Sequence, residues 1–247
     1  MNPSADVGAP AGKRVAITQS NYIPWKGYFD IINSVDEFIL YDDRQYTRRD
    51  WRNRNRIKTE HGTRWLTIPV QVKGRFTQRI DETLVDDPGW ASRHWRVIEQ
   101  AYSRAQHFKA YRDAVEAMYL EASGSRLLSD VNRRFLEGVC SLLGIGTRLS
   151  WSTDYEAAGD RTERLVSLCR SAGASVYLSG PSARAYIEES CFETAGVKLV
   201  YADYSGYPEY PQLNGKFEHG VTILDLVFNA GPQARAYMKS FAPAIAS

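Results

Sequence analysis

The strongest constraint on this fold is a strand, a short turn, a helix and a second strand in close succession near the start of the chain. Val15 to Thr18 form an apolar run that predicts a strand. A turn carrying Asn21 and Pro24 follows, and the segment WKGYFDIINS then places Tyr28, Ile31, Ile32 and Val35 at helical spacing. Glu37 to Tyr41 is a second apolar run, stopped by Asp42 and Asp43. One amphipathic helix between two strands with such short connections makes a βαβ unit, the building block of a parallel sheet. Gln19 and Asn21 follow the first strand, and Asp42 and Asp43 follow the second, so all four sit at the carboxyl edge of the sheet. Ligands of open α/β sheets bind outside that edge.

Further along, Arg64 to Val72 (RWLTIPVQV) alternates as a strand, with Gln78 to Val85 as its expected partner. Helical periodicity covers about 90–105, 111–122 and 127–143, the last closed by Gly144 as a C-cap. Strand and helix then alternate again: 149–152, 161–172, 176–179, a polar turn SGPSARAYIEE opening a helix, 198–204, and a final amphipathic helix at 223–229 before Gly231. The expected class is α/β, a mainly parallel sheet built from βαβ units, with a helical insertion at about 90–145. Residues 1–13, rich in Pro, Gly and Ala without an apolar signal core, read as a disordered leader, and 14–247 as one domain.

At 247 residues and 43% hydrophobic, the chain can bury one sizeable core. Its 31 basic and 29 acidic residues leave a net charge of +2, which excludes recognition of nucleic acid or membrane by global charge. No apolar run approaches the roughly 20 residues that span a bilayer, so no membrane insertion is expected. Cys140, Cys169 and Cys191 form no C-x-x-C pair and read as free thiols of a reducing, cytoplasmic setting. Four widely spaced histidines indicate no zinc site.

Charge is locally uneven. Six arginines lie between Arg44 and Arg56 against one carboxylate, Asp50. Tyr46, Trp51, Asn53 and Asn55 are interleaved with Arg48, Arg49, Arg52, Arg54 and Arg56. Forked donors beside stacking surfaces suit a base, a sugar or a phosphate ester, so the expected partner is a small anionic molecule. RNA is the weaker alternative. From this segment Gln45, Arg48, Arg49, Trp51, Asn53, Arg54 and Arg56 are candidate binding residues, joined by Gln19, Asn21, Trp25, Lys26 and Tyr28 of the first turn and helix. Lys26 in a first helical turn opposes the helix dipole, a local cost that hints at ligand contact. Ser179, Gly180 and Tyr186 belong to a later strand-to-helix turn at the same edge, and Gln212 to the C-terminal loop.

Three residues are candidates for chemistry. Asp42 and Asp43, adjacent on a strand, face opposite sides, so one can serve as general base or ammonium ligand while the other pairs with an arginine. His219, in a loop flanked by glycine, offers an exposed imidazole and is the best general base by type. His61 and His94 read as loop and helix-surface residues, and His107 as a polar residue between helices. The turn QSNYIPWKG has neither the G-x-G-x-x-G fingerprint nor a P-loop, and SGPSARAY lacks the G-x-S-x-G elbow.

The ordered set of motifs resembles the WbqC-like proteins: Q-x-N-Y-x-P-W-x-G-Y-F, then L-Y-D-D-x-Q-Y-T-x-R-x-W-x-N-R-N-x-I, W-L-T-I-P-V, Y-L-S-G-P-S-A-x-x-Y and F-E-H-G-x-T-I-L-D-L-x-F-N-x-G. The resemblance runs from Val15 to Met238, departing at Ser20 and Arg44, where proline and often valine are expected. It implies a role in bacterial polysaccharide or natural-product biosynthesis. It also implies a transferase that places an acyl or aminoacyl group on an amine of a small anionic metabolite or amino-sugar nucleotide. No built-in cofactor is implied, and the activated donor stays open among acyl-CoA, an aminoacyl donor and a nucleotide. The alternatives are an ATP-dependent nucleotidyl-transfer or ligase-type enzyme, against which the lack of an H-x-G-H-like pair counts, and a non-catalytic sugar- or RNA-binding module. The oligomeric state is not constrained.

Overall fold

The computed structural model describes residues 12–242. The run RVAIT forms strand β1 (Arg14–Thr18), and EFIL forms β2 (Glu37–Leu40), joined through helix α1 (Lys26–Asn33). The two strands pair in parallel, with Val15 opposite Glu37 and Thr18 opposite Leu40. A hairpin of β3 (Arg54–Thr59) and β4 (Gly62–Thr67) follows, then helices α2 (Trp90–Tyr102), α3 (Phe108–Ser123) and α4 (Leu128–Leu143). The chain returns to the sheet with β5 (Arg148–Trp151), α5 (Arg161–Ser171), β6 (Val176–Ser179), α6 (Glu189–Thr194) and β7 (Lys198–Tyr201), and ends with α7 (Ile223–Ala230).

The five-stranded sheet has the order β5-β2-β1-β6-β7, and every pairing in it is parallel. The chain builds outward from β1 through β2 and β5, then returns to build β6 and β7 on the other side. That reversal opens a crevice at the carboxyl ends of β1 and β6, the switch point where doubly wound sheets hold ligands. Alternation along the strands supplies both faces. Val15, Ile17 and Ile39 pack with Leu165 and Leu168 of α5 and Phe192 of α6. Ala16, Phe38 and Leu40 join Phe29 and Ile32 of α1 and Phe135 of α4 in the larger core.

Several expectations are corrected. The end of the arginine-rich segment is a strand, β3, paired antiparallel with β4, so Gln78–Val85 is not the hairpin partner. That stretch holds a short 3-10 turn, Ile80–Glu82, and takes part in three isolated bridges, Gln45 to Arg79, Leu84 to Leu127 and Val70 to Val85, the last joining it to the end of the expected strand. The polar turn after β6 opens as a 3-10 turn, Pro181–Ala185, and a helix begins only at Glu189. Of the expected leader, Lys13 is described, and it reaches Glu37 at 2.7 Å and the carbonyl of Ala172 at 2.6 Å. The rest of the expected leader, residues 1–11, lies outside the described residues, as do 243–247. Gly144 closes α4 in the left-handed conformation with φ 61, the role expected of it. Cys140 and Cys169 are buried, Cys191 is half-buried, and all three are free. Among the described residues no helix is long and apolar enough to cross a membrane.

Candidate functional site

The turn after β1 is held by polar side chains from β3 and the loop before it. Ile23 adopts φ 35, a left-handed conformation that a β-branched residue takes only when its surroundings enforce it. Asn55, pointing inward from β3, enforces it by donating to the carbonyls of Tyr22 at 3.0 Å and Ile23 at 2.9 Å. The Arg52 guanidinium forks across the same turn, donating to the side-chain oxygens of Gln19 and Asn21. Beneath, the Tyr22 hydroxyl meets His94 Nδ1 at 2.9 Å and the Tyr119 hydroxyl at 2.7 Å. His94 is therefore not on a helix surface. Its Nε2 donates to the carbonyl of Thr67 at 3.1 Å, and burial lowers its pKa to about 4, so it stays neutral.

The C-terminal loop is sewn onto this turn. Thr222 N donates to the carbonyl of Arg56 and Ile223 N to that of Pro24, both at 2.9 Å. These bonds bring His219 and Gly220 against Trp25, Trp51 and Arg56, around a cavity of about 370 Å³ that is also lined by Asn21, Pro24, Asn55 and Tyr204. Trp25 is fixed edge-on against Tyr204, with ring centres 5.0 Å apart. Trp51 and Trp65 lie tilted together at 5.2 Å, and Arg56 sits 5.9 Å from the Trp51 ring. Among the described residues Arg56 Nε is buried without a hydrogen-bond partner, and the one carboxylate paired with its guanidinium, Glu218, is 3.9 Å away. His219 is exposed, its ring 4.6 Å from Phe217. The cavity thus combines aromatic walls, a guanidinium with a donor to spare and an imidazole open to solvent.

Residues 19–237 match the model of the WbqC-like protein family. The chain belongs to the WbqC-like family. It is also 56% identical over 227 residues, 92% of this chain and 98% of the relative, to the uncharacterized protein Rv1507c of Mycobacterium tuberculosis. No solved structure matches the chain.

In this WbqC-like chain the cavity gathers Asn21, Trp25, Trp51, Arg56 and His219 of the sequence-predicted site, with Gln19 tied in through Arg52. Other candidates serve the fold. Tyr28 is buried and donates to the carbonyl of Gln19 at 2.9 Å, positioning the turn. Asn53 spends its amide on the carbonyl of Ile68 at 2.8 Å. Lys26 is buried rather than solvated: it donates to the carbonyl of Pro208 at 2.7 Å, with the rings of Tyr207 and Tyr210 each 5.1 Å away. Burial pushes its pKa down to about 8. Gln45 and Arg48 point elsewhere, to the carbonyls of Phe76 at 2.9 Å and Val72 at 2.6 Å. Arg49 is an exposed turn residue with φ 58, and Arg54 lies over Trp65 at 4.2 Å without lining the cavity. Ser179 is buried, Gly180 abuts the Tyr204 hydroxyl, and Tyr186 is 62% exposed, so none of the three lines the cavity.

Gln212 supports the loop from behind. Its Oε1 accepts from Lys58 Nζ at 2.6 Å and from Glu218 N at 2.9 Å, while Nε2 donates to Asp225 at 2.7 Å. Asp225 is fully buried, which raises its pKa, and it also accepts from the hydroxyls of Tyr210 at 2.7 Å and Tyr102 at 2.9 Å.

The adjacent aspartates diverge, as alternation requires. Asp43 accepts from Arg44 at 3.1 Å, Arg164 at 2.5 Å and Ser152 at 2.8 Å. Burial alone would raise its pKa, but these donors bring it below the ordinary value, which makes it a poor base. Asp42 is 1% exposed, accepts Ser20 N–H at 2.7 Å, and is pushed up to about 6 by burial. Pro24, Asn55, Tyr204 and Gly220 were not among the predicted site residues. Asn55 and Arg56 face opposite sides of β3, an alternation readable only once the segment is known to be a strand.

Proposed function

We propose that this WbqC-like protein is a group-transfer enzyme that moves an acyl or aminoacyl group onto an amine of a small anionic metabolite or amino-sugar nucleotide. The reading rests on one observation: Trp25, Trp51, Arg56 and His219 converge on one cavity beside the switch point of the sheet. The indoles stack on a ring, Arg56 takes an anionic substituent through its free Nε and forked amines, and His219 stands at the open side to remove a proton. The amine nitrogen attacks the acyl carbon, His219 accepts the proton that nitrogen loses, and the bond to the donor's leaving group breaks. No covalent enzyme intermediate is required. Asp42 does not line this cavity, so the base assigned here is His219. The setting that goes with this reading is the cytoplasm, in polysaccharide or natural-product biosynthesis.

Thermal shifts against sugar nucleotides, acyl-CoAs and ATP test the reading, since a ligand at 100 times its dissociation constant adds about 2.7 kcal/mol of stability. A shift with a sugar nucleotide or acyl-CoA that disappears in Arg56→Ala supports it. Release of AMP or pyrophosphate from ATP would replace it with nucleotidyl transfer. A second reading, a non-catalytic sugar- or RNA-binding module, draws on Trp51 and Trp65, which are 40% and 42% exposed beside Arg54 and Arg56. Recovery of the bound ligand chemically unchanged after incubation with every donor class favours that module.

A further inference from the structure

A second cavity, of about 130 Å³, opens at the carboxyl ends of β2 and β5 and shares no lining residue with the aromatic one. Four aspartates line it, Asp42, Asp43, Asp81 and Asp130, together with Ser129 and Ser152. Two of the carboxylates are already balanced. Asp43 is held by Arg44 and Arg164, and Asp81 by Arg79 at 2.8 Å. Asp130 is exposed and has no ion pair among the described residues. Asp42 differs from all of them. One of its oxygens accepts Ser20 N–H, whereas Oδ2 is buried without a hydrogen-bond partner among the described residues.

A buried carboxylate oxygen with no donor is unfavourable, so its surroundings invite a donor. The neighbouring hydroxyls do not provide one. Ser152 Oγ donates to Asp43 at 2.8 Å and Ser129 Oγ to the carbonyl of Ile80 at 3.2 Å, leaving both with lone pairs to offer. The cavity is therefore rich in acceptors, and what completes it is a compact cation with several N–H donors. A metal ion fits less well, because among the described residues no three His, Cys, Asp or Glu side chains are grouped to ligate one.

We propose that this cavity receives a primary ammonium group, with Asp42 Oδ2 as its principal acceptor and Asp130, Ser129 and Ser152 around it. The volume takes the aminoalkyl end of a ligand and leaves the remainder outside. The inference concerns other residues than the anion site and stands whether or not the aromatic cavity binds an anion.

The test uses the isotope-labelled full chain, titrated with methylammonium chloride and followed through the amide resonances of Ser20, Ser129 and Ser152. Tetramethylammonium chloride and sodium chloride at equal ionic strength serve as controls. Saturable shifts with methylammonium alone, weakened at least tenfold in Asp42→Asn, are the expected result. Asp130→Asn, at an exposed position, keeps the test decisive if Asp42→Asn does not fold, and weakens binding several-fold. Equal shifts from tetramethylammonium, or methylammonium binding unchanged in Asp130→Asn, would overturn the proposal. Saturable binding of Mn²⁺ that displaces methylammonium would overturn it in favour of a metal site.

Discussion

Gly220 leaves room for Arg56: a Cβ at position 220 would collide with the Arg56 guanidinium. The atom in the way is the far end of a flexible side chain, so Gly220→Ala displaces the arginine without unfolding the loop. Stability should change by less than about 0.5 kcal/mol, as for most surface substitutions. Affinity for the anionic ligand found in the thermal screen should fall about tenfold or more, the worth of one hydrogen bond to a charged group. Calorimetric titration of the variant checks both halves, and undiminished affinity would remove Arg56 from the site. Arg56→Lys should not restore binding, because a point charge does not reproduce the fork.

His219 is exposed and makes its nearest ring contact with Phe217. His219→Ala should therefore leave the thermal midpoint unchanged while lowering turnover about a hundredfold or more, the usual contribution of a general base. Single-turnover kinetics read this directly, and near-normal turnover would end the assignment.

Asn55 holds the carbonyls of Tyr22 and Ile23 in a strained turn. Asn55→Ala leaves two buried acceptors without a donor, each costing about 1–3 kcal/mol, so a loss of roughly 2–4 kcal/mol is expected in urea unfolding. Binding at the aromatic cavity should weaken as well, since Asn21 and Trp25 belong to the same turn.

Asp42 and His94 make opposite demands on pH. Asp42 titrates at about 6 in the folded chain against an ordinary 3.8, so the folded state holds the extra proton between those values and stability falls as pH rises through them. His94 titrates at about 4 against 6.5, so the unfolded state holds the extra proton and stability rises over nearly the same window. Each shift of two units or more is on the order of 3 kcal/mol, and the two nearly cancel. Relative to the native chain, Asp42→Asn should gain stability between pH 4 and 6.5, and His94→Gln should lose it. Parallel curves for all three proteins would contradict the burial of both groups.

The sheet was legible because its signals are local. Apolar spacing distinguishes Val15–Thr18 and Glu37–Leu40 from the helix between them, and short connections leave little choice but parallel pairing. Strand β3 escaped because its alternation is written in arginine and asparagine, and the inward Asn55 is buried only by virtue of the carbonyls it meets. The same ambiguity affects Lys26, Tyr28 and Asn53. A polar side chain near a sheet edge looks like a ligand group whether its partner is a substrate or a distant backbone carbonyl, and here the partners are the carbonyls of Pro208, Gln19 and Ile68.

By itself, then, the chain's sequence determined the βαβ unit, the sheet edge that carries polar groups and the family. Only the tertiary structure decided which of those groups share a cavity. Arg56 and His219 meet through bonds such as Thr222 N to the Arg56 carbonyl, and Asp42 keeps an oxygen bare because Ser20 satisfies only the other. The physical reason is that periodicity records local geometry, whereas a polar atom's partner depends on segments far apart in the chain that meet only once the core has closed.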